Sequence, residues 1–358
     1  MRKIWVVLAA AVSVIACVDP ARADGIASDE TALFLPTYAV VRDGKATGIL
    51  HSWIFELERD SALRGVLTKA IAEAADLDFA TTAGSYFSER VRYFLVDNQE
   101  GKSLTVTLAG KRFDLAETKD NGHAITAFTL SSAEPGFFPF ASEPRQAHGR
   151  IFHGIVFAIG PRGVSVISDI DDTIKISNVA DKKALMRNVF TQPYQPVPGM
   201  AAVYGAWQDQ GAVFHYVSGS PWQLFPPLAE FVTQQKFPPG TFHMKYFRLK
   251  DSSVIDFLSA DQRTHKESVI SKILTDFPDR HFILMGDSGE QDPEIYTAIA
   301  RRFPDQIIGV YIHDVGGMVP GSARFVDFST ALDGIDFQIF HNGASLPASI
   351  VALTGQNK

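Results

Sequence analysis

The segment "VSVISDIDDTIKIS", residues 164–177, runs from a β-branched apolar stretch into three carboxylates, Asp169, Asp171 and Asp172, within four positions. Like charges this close repel, and each raises its neighbour's pKa unless a cation or a proton lies between them. Asp169 and Asp171 are two apart, so extended backbone would aim both to one side. With Asp287 from "GDSGEQD" they form a hard-oxygen set that suits Mg2+, which takes a few carboxylates together with waters and substrate phosphate. Asp169 could then stay ionised and attack phosphorus. Asp171 would give a proton to the departing oxygen and later take one from water, which needs a pKa above that of the nucleophile. Ser218 can donate to a phosphoryl oxygen, Lys266 can offset negative charge, and Thr173 reads as a buckle for the loop.

Such residues need elements that bring them together. Beyond residue 164 apolar strands alternate with helices: "VSVIS", "AVFHYVS", "HFILMG" and "IIGVYI", with helices expected near 199–210, 221–235, 265–276 and 292–303. This rhythm predicts an α/β fold with a parallel sheet and crossover helices. Ligands bind outside the carboxyl ends of such strands. Asp169, Ser218 and Asp287 all fall at strand ends, and Lys266 opens the helix before the third strand. Residues 24–160 read instead as short β runs, including "LFLPTYAVV", "GILHSWIFELE", "ERVRYFLVDN", "SLTVTLAG", "HAITAFTL" and "GRIFHGIVFAI". One helix, "DSALRGVLTKAIAEAADL", interrupts them. A β-rich domain, expected to be a sandwich, therefore precedes the α/β domain at 161–358.

The first 23 residues carry "MRK", an apolar core and "ARA" before Asp24, the pattern of a cleaved export signal. Export to the periplasm or the cell exterior follows, with a lipoprotein anchored at Cys17 as the alternative. Cys17 is the chain's single cysteine, so after cleavage neither disulfides nor thiol chemistry operates. Cleavage would move the net charge from −7 to −9 by removing Arg2, Lys3, Arg22 and Asp19. An acidic surface argues against nonspecific binding to nucleic acid or anionic membrane. No later apolar run is long enough to span a bilayer, so a soluble or peripheral protein is expected.

The set "DIDDT" (Asp169, Asp171, Thr173), Ser218, Lys266 and "GDSGEQD" (Asp287, Asp292) resembles the four ordered motifs of haloacid-dehalogenase-like phosphatases, whose Rossmann-type sheet it implies. The wider wording "SDIDDTIK", "YVSGSPWQL" and "FPDRHFILMGDSGEQDPEIY" is similar to the actin-patch-associated phosphatidate phosphatase family, over residues 160–341; "SWIFELERDSALR" resembles the region preceding that domain in bacterial members. The resemblance implies a Mg2+-dependent phosphoric monoester hydrolase that converts phosphatidate to diacylglycerol and phosphate, working on a lipid phosphate at a membrane surface. Fungal members act inside the cell, so their partners are not carried over to a chain that reads as exported.

Asp169, Asp171 and Asp287 are the expected metal ligands. Asp292 either orients a metal water or caps the helix at Pro293. Gly219, Arg248 and Lys250 are candidates for meeting the phosphate, Asp172 for serving the loop, and His215 for a satisfied core histidine. "EPGFFPFASEP" could dip into a bilayer, but packing between the domains is the favoured reading. The same chemistry on a soluble phosphomonoester, and a silent lipid- or envelope-binding module, stay open as alternatives.

Overall fold

The computed structural model describes residues 25–57, 62–76, 84–248, 257, 262–316, 318–332 and 334–350. The export segment with Cys17, and Lys250, lie outside the described residues.

The N-terminal region comprises β1 (Glu30–Leu35), β2 (Thr37–Arg42), β3 (Lys45–Leu57), α1 (Ala62–Ala75), α2 (Ser85–Val91), β4 (Val96–Asn98), β5 (Thr105–Leu108), β6 (Lys111–Asp114), β7 (His123–Ser131), β8 (Gly136–Ser142) and β9 (His153–Ile159). The strands form one nine-stranded sheet in the order β1-β3-β2-β9-β8-β5-β6, with β4 and β7 also pairing with β3. β3 is long enough to hold β1 and β2 along one edge and β7 and β4 along the other. The sheet rolls, so that Phe113 of β6 meets Phe128 of β7 at a ring distance of 6.0 Å. The β-rich region expected at 24–160 is thus built from one continuous sheet around a shared core.

Two segments depart from the sequence pattern. "ERVRYFLVDN" is helical up to Phe94 and extended only at Val96–Asn98. Its alternating Val91, Tyr93 and Leu95 suggest a strand, but Phe87, Val91 and Phe94 lie at helical spacing and all three are buried. "EPGFFPFASEP", expected as a loop at the bilayer or packed between the domains, contains strand β8, paired with β5 and β9. Phe140 packs on Phe34, and the exposed Phe137 rests edge-on against Phe157.

The C-terminal region runs β10 (Val164–Ser168), α3 (Lys182–Phe190), α4 (Met200–Asp209), β11 (Val213–Pro221), α5 (Phe225–Gln234), β12 (Gly240–Lys245), α6 (Arg263–Asp276), β13 (His281–Asp287), α7 (Asp292–Arg302), β14 (Ile307–His313), α8 (Ala323–Ala331) and β15 (Asp336–Phe340). Its sheet is wholly parallel in the order β12-β11-β10-β13-β14-β15. Both faces are covered, which is why β13 reads as a continuous apolar run and every residue of β10 is buried. Alternate residues divide between the faces: Val166, Ile283 and Met285 enter one core cluster, Ile167, Phe282 and Leu284 the other. The first cluster also takes Leu67 and Ile71 of α1 and Phe87 and Val91 of α2, so N-terminal helices cover part of the C-terminal sheet. The chain leaves β10 toward β11 and β12, then returns to the other side of β10 as β13. That reversal creates a crevice at the carboxyl ends of β10 and β13.

Candidate functional site

Asp169 follows β10 directly, and its N–H donates to the Met285 carbonyl at 2.9 Å, which ties the strand end to β13. The chain then coils, with the N–H groups of Ile174 and Lys175 both donating to the Ile170 carbonyl at 3.0 Å. Asp172 adopts φ +54°, a conformation that Asp tolerates better than most residues. Its carboxylate accepts from the N–H groups of Ser177, Asn178 and Val179, at 2.7, 2.8 and 2.6 Å. The ring of His313 at the end of β14 bonds the Asp172 carbonyl through Nδ1 at 2.6 Å. Asp172 thus holds the loop, as its place in the sequence suggested, and His313 anchors it from a neighbouring strand.

At the crevice, one oxygen from each of Asp169, Asp287 and Asp292 lies within 4.8 Å of the others, and all three residues are buried. Lys266 Nζ sits among them, 2.9 Å from Asp169 Oδ1, 2.7 Å from Asp292 Oδ1 and 2.9 Å from Glu290 Oε2. Thr173 Oγ1 donates weakly to Asp169 Oδ2 at 3.3 Å. Asp287 Oδ1 accepts from the N–H groups of Gly289 and Glu290, whereas its Oδ2 is buried with no hydrogen-bond partner among the described residues. Three acids therefore share one ammonium, with Asp287 beside them. Burial pushes Asp169 well above the usual carboxylate range; Lys266 pulls it down, and Asp292, Glu290 and Asp171 push it further up. Burial likewise raises Asp287, reinforced by Asp292 and Asp169. Lys266 is held well above the usual lysine range: burial opposes its charge, but Asp169, Asp292 and Glu290 outweigh that. An oxygen-only donor set with excess negative charge and an orphaned carboxylate oxygen fits a hard divalent cation.

Asp292 is not a cap. It is the first residue of α7, its Oδ1 meets Lys266, and its Oδ2 accepts from the Asp287 N–H at 3.2 Å, so it orients both neighbours. Its room comes from Gly286, where an added Cβ would stand 2.5 Å from Asp292 Oδ2 and 2.6 Å from the Tyr296 ring.

Asp171 departs from the expected metal set. Its Oδ1 is 2.6 Å from Lys175 Nζ and accepts from Ser177 Oγ at 2.6 Å, while its Oδ2 accepts from Ser220 Oγ at 3.0 Å. Burial would raise this carboxyl, yet Lys175 and the two serines hold it below the ordinary value. Without a metal cation in the crevice the two carboxyls shift in opposite directions, because Asp171 has a cation to itself and Asp169 shares Lys266 with Glu290 and Asp292. Ser218 Oγ lies 3.5 Å from Asp171 Oδ2, a weak contact, and accepts from the Ser220 N–H at 3.0 Å. Lys175, Ser177, Ser220 and Glu290 were not foreseen. The spacing of Asp171 and Lys175, four apart, and of Ser218 and Ser220, two apart on a strand, carried the signal.

Gly219 lies under the Gln262 side chain, which a Cβ would strike at 1.6 Å. The Arg248 guanidinium pairs with Asp120 of the N-terminal region. His215 is a core residue, its Nδ1 2.9 Å from Thr241 Oγ1. No helix among the described residues is long and apolar enough to cross a membrane.

Comparison with known proteins bears on the same segment. Phosphatidate phosphatase APP1 of Saccharomyces cerevisiae is 41% identical over 158 residues, 43% of this chain and 26% of that protein. An uncharacterised protein of Schizosaccharomyces pombe is 33% identical over 202 residues, 55% of this chain and 31% of that protein. The chain thus spans less than a third of either curated relative. Among solved structures, a sialyltransferase from Photobacterium damsela aligns with a TM-score of 0.23 and 8% identity over 57% of this chain and 39% of that one, too loose a likeness to bear on fold. The model of the family described as "Phosphatidate phosphatase APP1, catalytic domain" matches residues 164–314, which begin at β10 and close just after β14. Every carboxylate of the crevice lies inside that span, so the segment that carries the site is the one similar to the APP1 phosphatidate phosphatase catalytic domain.

Proposed function

We propose that the protein is a Mg2+-dependent phosphatidate phosphatase of haloacid-dehalogenase-like architecture. It hydrolyses phosphatidate to diacylglycerol and phosphate through an aspartyl phosphate on Asp169. The observation that carries this reading is the orphaned Asp287 oxygen beside Asp169 and Asp292 at the switch point of the sheet. The family relationship of the segment supports the phosphoric monoester chemistry and the lipid substrate. The export pattern of residues 1–23 supports a site of action outside the cytoplasm.

Asp169 and Asp287 would hold the cation, with Asp292 orienting them. When bound, it would offset the charge of the transferring phosphoryl group. Asp169 attacks phosphorus, the bond to the glyceryl oxygen breaks, and Asp171 supplies the proton which that oxygen takes up. Asp171, now anionic, takes a proton from water as that water attacks the aspartyl phosphate, releasing phosphate and restoring Asp169. The resting ion pair with Lys175 is the base form of Asp171. An arriving phosphate dianion raises its proton affinity and generates the acid form. Lys266 stays on Asp169 throughout as a fixed countercharge.

The test is phosphate release by the purified protein, in Mg2+ and in EDTA, from phosphatidate in detergent micelles and from a soluble phosphate ester. Metal-dependent release from phosphatidate, lost in Asp169→Asn, is expected. Release from the soluble ester alone would remove the lipid, and full activity of Asp169→Asn would remove the mechanism.

A further inference from the structure

A groove of about 890 Å³ runs between the two regions, bounded by β2, β3 and β7 of the first sheet and by β12 and α6 of the second. Its volume falls in the roughly 300–1,000 Å³ range of small-molecule sites. Ile49 and Ala127 form one wall, and Met244, Val269 and Ile273 the other. Ile49, Ile125 and Tyr246 stand 37%, 50% and 46% exposed along it, so apolar surface is left open to solvent where two sheets could have closed on each other.

The groove's lining includes close sequence neighbours of crevice residues. Trp222, in its lining, follows by two residues the Ser220 that bonds Asp171. His265, also in the lining, directly precedes the buried Lys266, so one turn of α6 presents its ammonium to the crevice and its imidazole to the groove. From there the lining follows α6 through Val269, Lys272 and Ile273 to Asp276, roughly 16 Å at 1.5 Å per residue. At the end of α6, Asp276 binds Tyr38, Lys272 and Arg42. Burial pushes His51 and His243, which also line the groove, down to about 3, so both are neutral at physiological pH.

We infer that this groove is the acyl-chain site of the lipid substrate: its apolar walls, its length and its lining residue His265, adjacent to Lys266, let the chains lie along α6 while the phosphate meets Asp169. The inference rests on the proposed lipid phosphatase reading and adds to it the place where the lipid is held. It also gives the N-terminal region a role, since β3 and β7 supply half of the walls.

The test uses the full chain and a fluorescent diacylglycerol presented from detergent micelles, a probe with acyl chains and no phosphate. Ala127→Trp fills the groove from the first sheet and Val269→Trp from α6, so one variant serves if the other does not fold. Binding by the wild type, weakened at least tenfold in either variant at unchanged melting temperature, is expected. No binding by the wild type, equal binding by both variants, or a groove occupied only by a second copy of the chain would overturn it. If the wild type binds the probe and the variants do not, yet phosphatidate releases no phosphate with Mg2+, the groove stands and the phosphatase reading fails.

Discussion

At the scale of single residues the division of labour depends on who shares a cation. Asp171 has Lys175 to itself, both deeply buried. Such a pair is weak evidence of net stabilisation, but removing one partner strands the other. Lys175→Met should therefore cost about 3–5 kcal/mol, because an uncompensated carboxylate stays behind. In the Lys175→Met/Asp171→Asn double variant much of that loss should return. Urea denaturation of the four proteins in the cycle measures this, and strictly additive losses would show that the two groups act independently. The crevice acids predict the opposite pattern. Asp287→Asn removes one of four crowded carboxylates, so its melting temperature in EDTA should rise. The Mg2+-induced increase of the wild type, about 2.7 kcal/mol at a hundredfold excess over Kd, should disappear. A thermal melt with and without Mg2+ decides it, and a Mg2+ shift equal to that of the wild type would remove Asp287 from the metal site.

At the scale of elements, four of the six parallel strands, β10, β11, β13 and β14, and the helices α4 to α7 were legible in the sequence because apolar runs end there in polar residues. The strand pattern alone thus places Asp169, Ser218 and Asp287 at one edge of the sheet. What stayed hidden depended on packing partners that are distant in sequence. The helical face of Phe87, Val91 and Phe94 makes sense only against Phe190 and Phe247. The turn of Asp171 away from the metal set requires Ser220 from β11. Gly286 is another such case: within β13 it looks like a strand interruption, and only the structure shows Asp292 filling its missing side chain. Gly286→Ala should displace Asp292 and lower Mg2+ affinity ten- to a hundredfold, the usual effect of losing a group that orients a ligand. The fold should lose about 1–3 kcal/mol from overpacking. Calorimetric Mg2+ titration tests it, and unchanged affinity would mean that Asp292 does not orient the site.

At the scale of the whole molecule, aromatic and imidazole rings bridge the two regions, and their chemistry sets a pH limit. His51 of β3 bonds His123 of β7 at 3.0 Å through a pair of ring nitrogens, one of which must be bare. Trp222 and Tyr246 from the second region pack on them, at ring distances of 5.1 and 4.9 Å. Burial lowers His51 to about 3 and His123 well below its ordinary 6.5. Unfolded, both histidines bind protons near pH 6.5, whereas the native state does not until far lower. Between those values the unfolded chain carries more protons, so the stability these residues contribute is complete above about pH 6.5 and falls as pH drops toward 3. The slope is at most about 1.4 kcal/mol per pH unit for each histidine. Asp171, held below its ordinary value, loses its contribution only below about pH 4. The raised Asp169 and Asp287 act in the opposite direction, gaining protons and losing repulsion as pH falls. The histidine contribution is therefore read as a difference: stability of the wild type minus that of His51→Gln/His123→Gln, by urea denaturation from pH 7.5 to 4.5. That difference should shrink or change sign on acidification, since glutamine keeps an amide there but has no proton to gain. A difference constant across the range would mean that these histidines do not limit the fold in acid.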